Sequence, residues 1–427
     1  MAIKKEVCAE KAGSQFDIVI IGGGMVGISL SLILAAQEGW KILLVEAQPM
    51  ALAPDETQLY SASFDARSTA LSWTSRDIYE SINVWTQVEK HLSKINQIHV
   101  SDRSNAGLTR MSADETGVGA LGYVVENKWL GTVLTDHLSR SAVEVISAAK
   151  VDNLRLISNG AEIELKHDEL SNNTLKQKIS ADLVVIADGA ESNTAKKIGI
   201  YSDTTAYGQT AIIANIQLSK RHNEVAYERF TDQGPMALLP LADYAGQHRA
   251  ALIWVMPDEI SENLLEKPDE VFLDRLQARF GYRLGSFKRA GKRLSYPLSL
   301  TLSNEQVRHN IVVMGNAAHS LHPVAGQGFN LSLRDASVLA EILNSARKSD
   351  ESIGSLDVLE RYFKSQSNDQ RNTVLFSDGL TKFFSGSSNL AAFSRNSGLV
   401  ALDLFPQVRQ RFTKFGMGMT SSEAGHG

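Results

Sequence analysis

Short runs of consecutive apolar residues recur along the chain between segments of mixed character, and they predict its skeleton. FDIVII (16–21) is rich in isoleucine and valine without polar alternation, the pattern of a parallel strand buried on both faces. MVGISLSLILAAQ (25–37) follows without proline and reads as a helix; after Gly39, KILLV (41–45) reads as a second buried strand. The same strand signature returns in DLVVIA (182–187) and NIVVM (310–314). The second of these leads through a glycine-rich stretch into FNLSLRDASVLAEIL (329–343), a helix with no internal proline or glycine. TAIIANIQL (210–218) and MALLPL (236–241) alternate instead, which predicts an antiparallel sheet. Beyond residue 346 the pattern is helical. Its apolar clusters in GLTKFFSGSSNLAAF (379–393) and LVALDLF (399–405) read as core rather than membrane contacts, and the closing SSEAGHG reads as disordered.

Composition narrows the class without identifying it. The 427 residues, 43% hydrophobic and 21% charged, are ordinary for a globular protein of two or three domains. A net charge of -5 and a pI near 6.1 argue against a nucleic-acid partner. The first residues, MAIKKEVCAEKAGSQ, are polar and include acids, unlike a secretory signal or a basic transit peptide. The longest apolar run, ISLSLILAA, falls short of the roughly 20 residues that a bilayer span needs. The single cysteine, Cys8, excludes a disulfide framework or a multi-thiolate metal site and points to the reducing cytosol.

The chemistry lies where the apolar runs end. Gly22, Gly24 and Gly27 stand in G-x-G-x-x-G spacing between the first strand and the first helix. That spacing gives a tight turn, a close backbone approach to a pyrophosphate and a close helix–strand contact, with the helix N-terminus facing the phosphates. Glu46 ends the second strand where an acid would meet ribose hydroxyls, which suits FAD or NAD without a 2′-phosphate. Gly117, Gly119 and Gly122 repeat the spacing, but no apolar strand precedes them and YVV follows, so that copy reads as accidental. Arg67, in SFDARSTAL (63–71), is either a partner for the pyrophosphate or a surface arginine. Asp188 and Gly189 form a strand-end turn, with a cofactor role or a plain turn as its two readings. In GNAAHSLHPVAGQGFNL (315–331), Asn316 can bond cofactor hydroxyls, Pro323 stiffens the turn, and Gly326, Gln327 and Gly328 allow close backbone approach where a helix begins.

Taken together, the fingerprint, the DG turn and G-[DN]-A-A-H-x-x-x-P-x-x-G-Q-G-x-N, which ends at Asn330, resemble the FAD-dependent aromatic hydroxylases related to p-hydroxybenzoate hydroxylase, over residues 16 to about 400. Asn316 in place of the usual aspartate, with HVSDRSNAGL (99–108), ERFTDQGPMALLPL (228–241) and HPVAGQGFNLSLRD (322–335), is most similar to the ubiquinone-biosynthesis hydroxylases of the 2-polyprenyl-6-methoxyphenol type. A departure is Ala195, where the DG motif would carry arginine and Lys196 follows.

The resemblance implies an α/β fold: a Rossmann-like FAD-binding domain from residues 16–75, 125–200 and 293–345, an inserted antiparallel-sheet substrate domain from 76–124 and 201–292, and a helical C-terminal region over 346–427. One extended FAD would then explain both glycine loops, the first holding its ADP half and the second its ribityl chain and ring. NAD(P)H would act as a transient co-substrate, because no second credible fingerprint exists. The implied activity is ring hydroxylation of a polyprenylated phenol with O2 through a C4a-hydroperoxyflavin. Its alternatives are an FAD-linked polyprenyl reductase or epoxidase, or a flavin-binding sensor or scaffold without turnover. His319 and His322 read as structural rather than as metal ligands, and no metal is expected. Tyr207, Arg229 and Tyr296 are candidate contacts to the phenol, and no catalytic base is assigned. The implied location is cytoplasmic, at the inner face of the bacterial cytoplasmic membrane or beside other ubiquinone-biosynthesis proteins.

Overall fold

Consecutive β-branched residues need apolar partners on both faces, and the first run finds them. In the computed structural model, which describes residues 14–37, 39–50, 67–102, 108–167, 176–321 and 326–385 with Thr413 and Met417, the strand Ser14–Ile21 lies inside an eight-stranded sheet. It runs parallel to Lys176–Ile186 on one side and Ile42–Val45 on the other. Ile311–Val313 and Glu144–Ile146 continue the parallel order outward. Alternate side chains enter different cores. Ile18 and Ile20 pack with the helices Met25–Ala35, Asn127–Arg140 and Gln327–Lys348, whereas Val19 and Ile21 pack with the antiparallel pair Ala149–Ile157 and Gly160–His167. Ile18, Val19, Ile20, Leu43, Leu44, Val184 and Val185 have no exposed surface. At about 1.5–3 kcal/mol for each fully buried aliphatic side chain, this layer is a principal source of folding free energy. The first helix is buried continuously from Gly27 to Leu34, because it is sandwiched between the sheet and the helices Asn127–Arg140 and Gln327–Lys348.

The alternating stretches form a second, nine-stranded sheet. Ser202–Leu218, Gln247–Pro257, Gly234–Tyr244 and Val225–Thr231 are successive antiparallel neighbours, and Gln97–Asp102 joins Val225–Thr231 in parallel. The strand Leu294–Ser303 and the short pair His319–Ser320 are hydrogen-bonded into this sheet, although they lie within the 293–345 segment expected in the cofactor half. Period-2 patterning gives the sheet two different faces. On one, Ile212, Leu252 and Trp254 pack under the helices Asp258–Leu265 and Asp269–Phe280. On the other, Val100, Ala226, Phe230 and Ala251 meet Ile95 and Val124 of a three-stranded sheet. The fully buried pair Arg249–Glu126, at 2.9 Å, ties these two sheets together.

Gly122 opens the strand Gly122–Glu126 rather than a helix, so the second G-x-G-x-x-G lacks the helix N-terminus that a phosphate site requires. The helix Leu356–Ser385 follows and holds Gln327–Lys348 through Arg334–Asp369 at 2.7 Å. LVALDLF, SSEAGHG and most of the 379–393 cluster lie outside the described residues. Among the described residues no helix is long and apolar enough to cross a membrane.

Candidate active site

Register aligns the ends of the parallel strands. Ile21 is level with Val45 and Ile186, and Ile186 with Val313. Backbone bonds carry that alignment past the strand ends: Gly22 N donates to Val45 O at 2.8 Å, Ala187 N to Ile21 O at 2.7 Å and Met314 N to Ile186 O at 2.9 Å. The fingerprint, the Glu46 turn, the Asp188–Gly189 turn and the Gly315–Asn316 turn therefore form one ledge at the carboxyl edge of the sheet, where open α/β folds bind their ligands.

Space explains the glycines of this ledge. Gly22 has φ +111°, and a β-carbon there would overlap the carbonyl of Ala187, so the fingerprint loop lies directly against the DG turn. A β-carbon at Gly27 would overlap the Gly22 carbonyl, the close helix–strand contact that the spacing predicts. Among the described residues, a β-carbon at Gly24 or at Gly189 would meet no atom within 4 Å. No described residue forbids a side chain at Gly24, and its position at the start of a helix with no side-chain cap leaves amides directed outward. Glu46 lies against the same turn: Oε2 accepts from Gly23 N at 2.6 Å and Oε1 from Gln48 N at 2.8 Å. Asp188 is exposed beside it and accepts from Thr194 N at 3.4 Å. Ala195, where arginine was expected, is buried in the core, and its amide is capped by Ser192.

The second glycine loop touches the first. The place of a β-carbon at Gly315 is 3.3 Å from Val26, on the first turn of the fingerprint helix, and Asn316 projects exposed from the short turn Gly315–Ala317. Gly326, at φ +60°, starts the helix Gln327–Lys348 against Ala70, with Gln327 buried and Gly328 in loose contact with Leu321. Asn330 is 2% exposed and spends its whole amide on the chain: Oδ1 accepts from Ser72 N and Ser75 Oγ at 2.9 and 2.7 Å, and Nδ2 donates to Ala70 O and Gly326 O at 2.9 and 2.8 Å. It braces the helix start against the strand Ser68–Ser72. His319 is buried with its Nε2 2.7 Å from Asp335 Oδ2, and Gln370 Nε2 donates to both Asp335 oxygens at 3.1 Å, which joins the loop to both long helices. His322 and Pro323 lie outside the described residues.

Arg67 and Tyr296, 229 residues apart, come together, with Arg67 Nη1 donating to Tyr296 Oη at 3.2 Å. Tyr207 donates its hydroxyl to Asp378 at 3.0 Å; burial, then that carboxylate, holds the phenol above its ordinary range. Both tyrosines belong to the face of the large sheet turned away from the helices Asp258–Leu265 and Asp269–Phe280, Tyr296 through its register with Ala211 and Tyr207 through packing with Ala211 and Val255. Arg229 is not on that face. It alternates with Ala226 and Phe230 and lies near His99, on the other side. Asp335, Gln370 and Asp378 were not foreseen, because an acid or amide on a long amphipathic helix looks the same whether it is solvated or buried. Among the described residues no group of three His, Cys, Asp or Glu could hold a metal.

A long dinucleotide fits these residues: two open glycine positions, two helix starts without side-chain caps and exposed Asp188 and Asn316 lie along one ledge. A profile of the FAD-binding domain family matches residues 15–363. The chain therefore belongs to that family, and it is a flavin-dependent monooxygenase. It is 31% identical to ubiquinone hydroxylase UbiL of Rhodospirillum rubrum over 403 residues, 94% of this chain and 89% of that protein. It is 30% identical to 3-demethoxyubiquinol 3-hydroxylase of Escherichia coli K12 over 417 residues, 94% and 98% of the two chains. The fold is also that of p-nitrophenol 4-monooxygenase PnpA from Pseudomonas putida DLL-E4, with a TM-score of 0.75 at 17% identity over 96% and 99% of the chains.

Proposed function

We propose that this chain hydroxylates the ring of a polyprenylated phenol in ubiquinone biosynthesis, using FAD, NAD(P)H and O2. The observation that carries the reading is the ledge, where both glycine loops meet along one edge and Gly24 is kept free of a side chain that no described residue would obstruct. The relatives named ubiquinone hydroxylase and 3-demethoxyubiquinol 3-hydroxylase, matched almost end to end, support the substrate class. When bound, FAD supplies the redox chemistry, taking electrons from NAD(P)H and activating O2 for transfer of one oxygen atom to an electron-rich ring.

The chain's own residues bind, orient and exclude water. Gly22, Gly24 and Gly27 and the first helix N-terminus receive the pyrophosphate, and Glu46 receives the adenosine ribose. Arg67, Asp188 and Gly189 flank the path of the cofactor. Asn316 and the turn through Pro323, Gly326, Gln327 and Gly328 hold the ribityl chain and ring. Asn330 keeps that turn in place through its four bonds to the chain. The FAD-binding part is drawn from 16–75, 125–200 and 293–345, the substrate part from 76–124 and 201–292, and 346–427 is a helical C-terminal region. A lipid substrate calls for a peripheral site at the cytoplasmic membrane or delivery by partner proteins. Two measurements test the reading: reconstitution of the purified protein with FAD, and NAD(P)H consumption with hydroxylated product for a prenylated phenol against the same ring without its tail. No flavin binding removes the ledge assignment; equal specificity constants with coupled hydroxylation of both rings remove the lipid.

A further inference from the structure

Alternate residues of the strand Val225–Thr231 face opposite sides of the large sheet. Ala226 and Phe230 belong to the core on the face that carries Tyr207 and Tyr296, so Glu228, between them, lies on that face too. Register sets Glu228 beside Ala237, Ala237 beside Ile253 and Ile253 beside Ile213, a row across adjacent strands. All four are partly exposed, whereas Ala226 and Ala251 to one side and Phe230, Pro235 and Val255 to the other are buried. The row is thus a partly accessible, largely apolar strip that continues on one side to the partly exposed Leu239 beside Ala251, and Glu228 is its one ionisable side chain. Among the described residues its carboxyl makes no hydrogen bond or ion pair, and desolvation, with no opposing cation, raises it above the usual carboxylate range. An unpartnered carboxyl among aliphatic side chains costs stability and serves no packing purpose.

We infer that Glu228 holds a ring oxygen of the phenolic substrate by a hydrogen bond, an assignment that rests on the hydroxylase reading above. A carboxyl accepts from a phenolic hydroxyl through either oxygen, which fixes the ring oxygen while the aliphatic row receives the rest of the ring and the start of its tail.

The test uses the FAD-loaded full chain and a methoxyphenol bearing one prenyl unit. Glu228→Leu is expected to raise KM about tenfold or more while changing kcat little. Its FAD affinity is unchanged and its melting temperature is no lower than the parent's, because the substitution removes a polar group from apolar surroundings. Glu228→Gln, which keeps a donor and an acceptor, stays within about threefold of the parent KM. An unchanged KM in Glu228→Leu overturns the assignment. So does a drop in melting temperature and flavin content in both variants, which marks a structural role, or a collapse of kcat at normal KM in Glu228→Gln, which marks an ionised base. If the parent itself turns over no phenol, the hydroxylase reading has failed separately; calorimetric binding of the probe then decides, and equal affinities in parent and Glu228→Leu overturn the assignment.

Discussion

The carboxyl edge of the parallel sheet and the inner face of the antiparallel sheet are built on opposite principles. At the edge, the proposed cofactor contacts are backbone amides and open space, and the residues that provide them are glycines whose side-chain positions meet Ala187, Gly22 or no described residue. On the inner face, the proposed contacts are side chains, and which ones face inward is decided by pairing between strands far apart in sequence. Glu228 meets Ala237 across a hairpin, but the row is completed by Ile253 and Ile213. Tyr207 is held by Asp378, 171 residues away. A site made of backbone declares itself in local sequence, and a site made of facing side chains does not.

The sharpest way to break that comparison is inside the fingerprint. Gly27→Ala drives a methyl group into the Gly22 carbonyl in a helix buried on all sides, so it is expected to cost at least ~3 kcal/mol or to abolish soluble protein. Gly24→Val places a larger side chain where no atom of a described residue lies within 4 Å, at an extended position with φ -70° and ψ 177°. It should melt like the parent without FAD and lose FAD binding beyond measurement. Thermal melts with and without added FAD separate the two. Full flavin occupancy in Gly24→Val would remove the ledge from the cofactor's path.

Next in size is the brace between the regions. Asp335 is 1% exposed by side chain and serves both His319 and Gln370. Asp335→Ala leaves those two groups buried without their acceptor, an expected loss of about 3–5 kcal/mol by chemical denaturation. The exposed pair Arg361–Glu351 is the control, and breaking it should cost no more than about 1 kcal/mol. Equal losses would mean that His319 is not held through Asp335.

How far the sequence speaks follows from the same contrast. The strands FDIVII, KILLV, DLVVIA and NIVVM were legible because burial on both faces leaves no polar position to confuse the period. The place of Gly22 and Gly27 was legible because only glycine satisfies those contacts. Motif membership spoke less clearly about direction: Asn330 closes the second motif, yet its amide is consumed by Ser72, Ser75, Ala70 and Gly326, which no local pattern reveals. Arg229 drew attention through its charge, while its neighbour Glu228 took the inward place. The available signal was the alternation Ala226, Glu228, Phe230, an acid on the apolar side of a strand, which has meaning only once the buried face is known.

A smaller effect tests the exposed part of the ledge. Asn316 projects from its turn, and both its own carboxamide and an aspartate can accept a bond from a ribityl hydroxyl. Asn316→Ala is expected to weaken FAD binding by about 1–3 kcal/mol, while Asn316→Asp retains much of it. Flavin-fluorescence titration reads both, and parent affinity in the alanine variant would show that the side chain does not reach the cofactor.

The smallest effect contrasts the two faces of the antiparallel sheet. On the side opposite Glu228, His99 is 7% exposed, and its imidazole is pushed down from 6.5 to about 4 by burial, then by Arg283, Arg110 and Arg229 around it. Arg283 Nη1 stands 3.2 Å from its Nδ1, and Tyr227 packs edge-on at 5.5 Å, so every charged neighbour disfavours the imidazolium. The unfolded chain takes up a proton near pH 6.5 that the folded chain refuses until about pH 4. Stability linked to His99 is therefore fully present above pH 6.5 and is lost as pH falls through that window. Because Arg110 and Arg283 are exposed and screened, the loss is expected to be only about 1 kcal/mol. His99→Gln removes the titration, so denaturation curves at pH 7.0 and about pH 4.5 should differ less in the variant than in the parent by that amount. An identical difference would show that neither the burial of the ring nor the arginines around it shift its titration on folding.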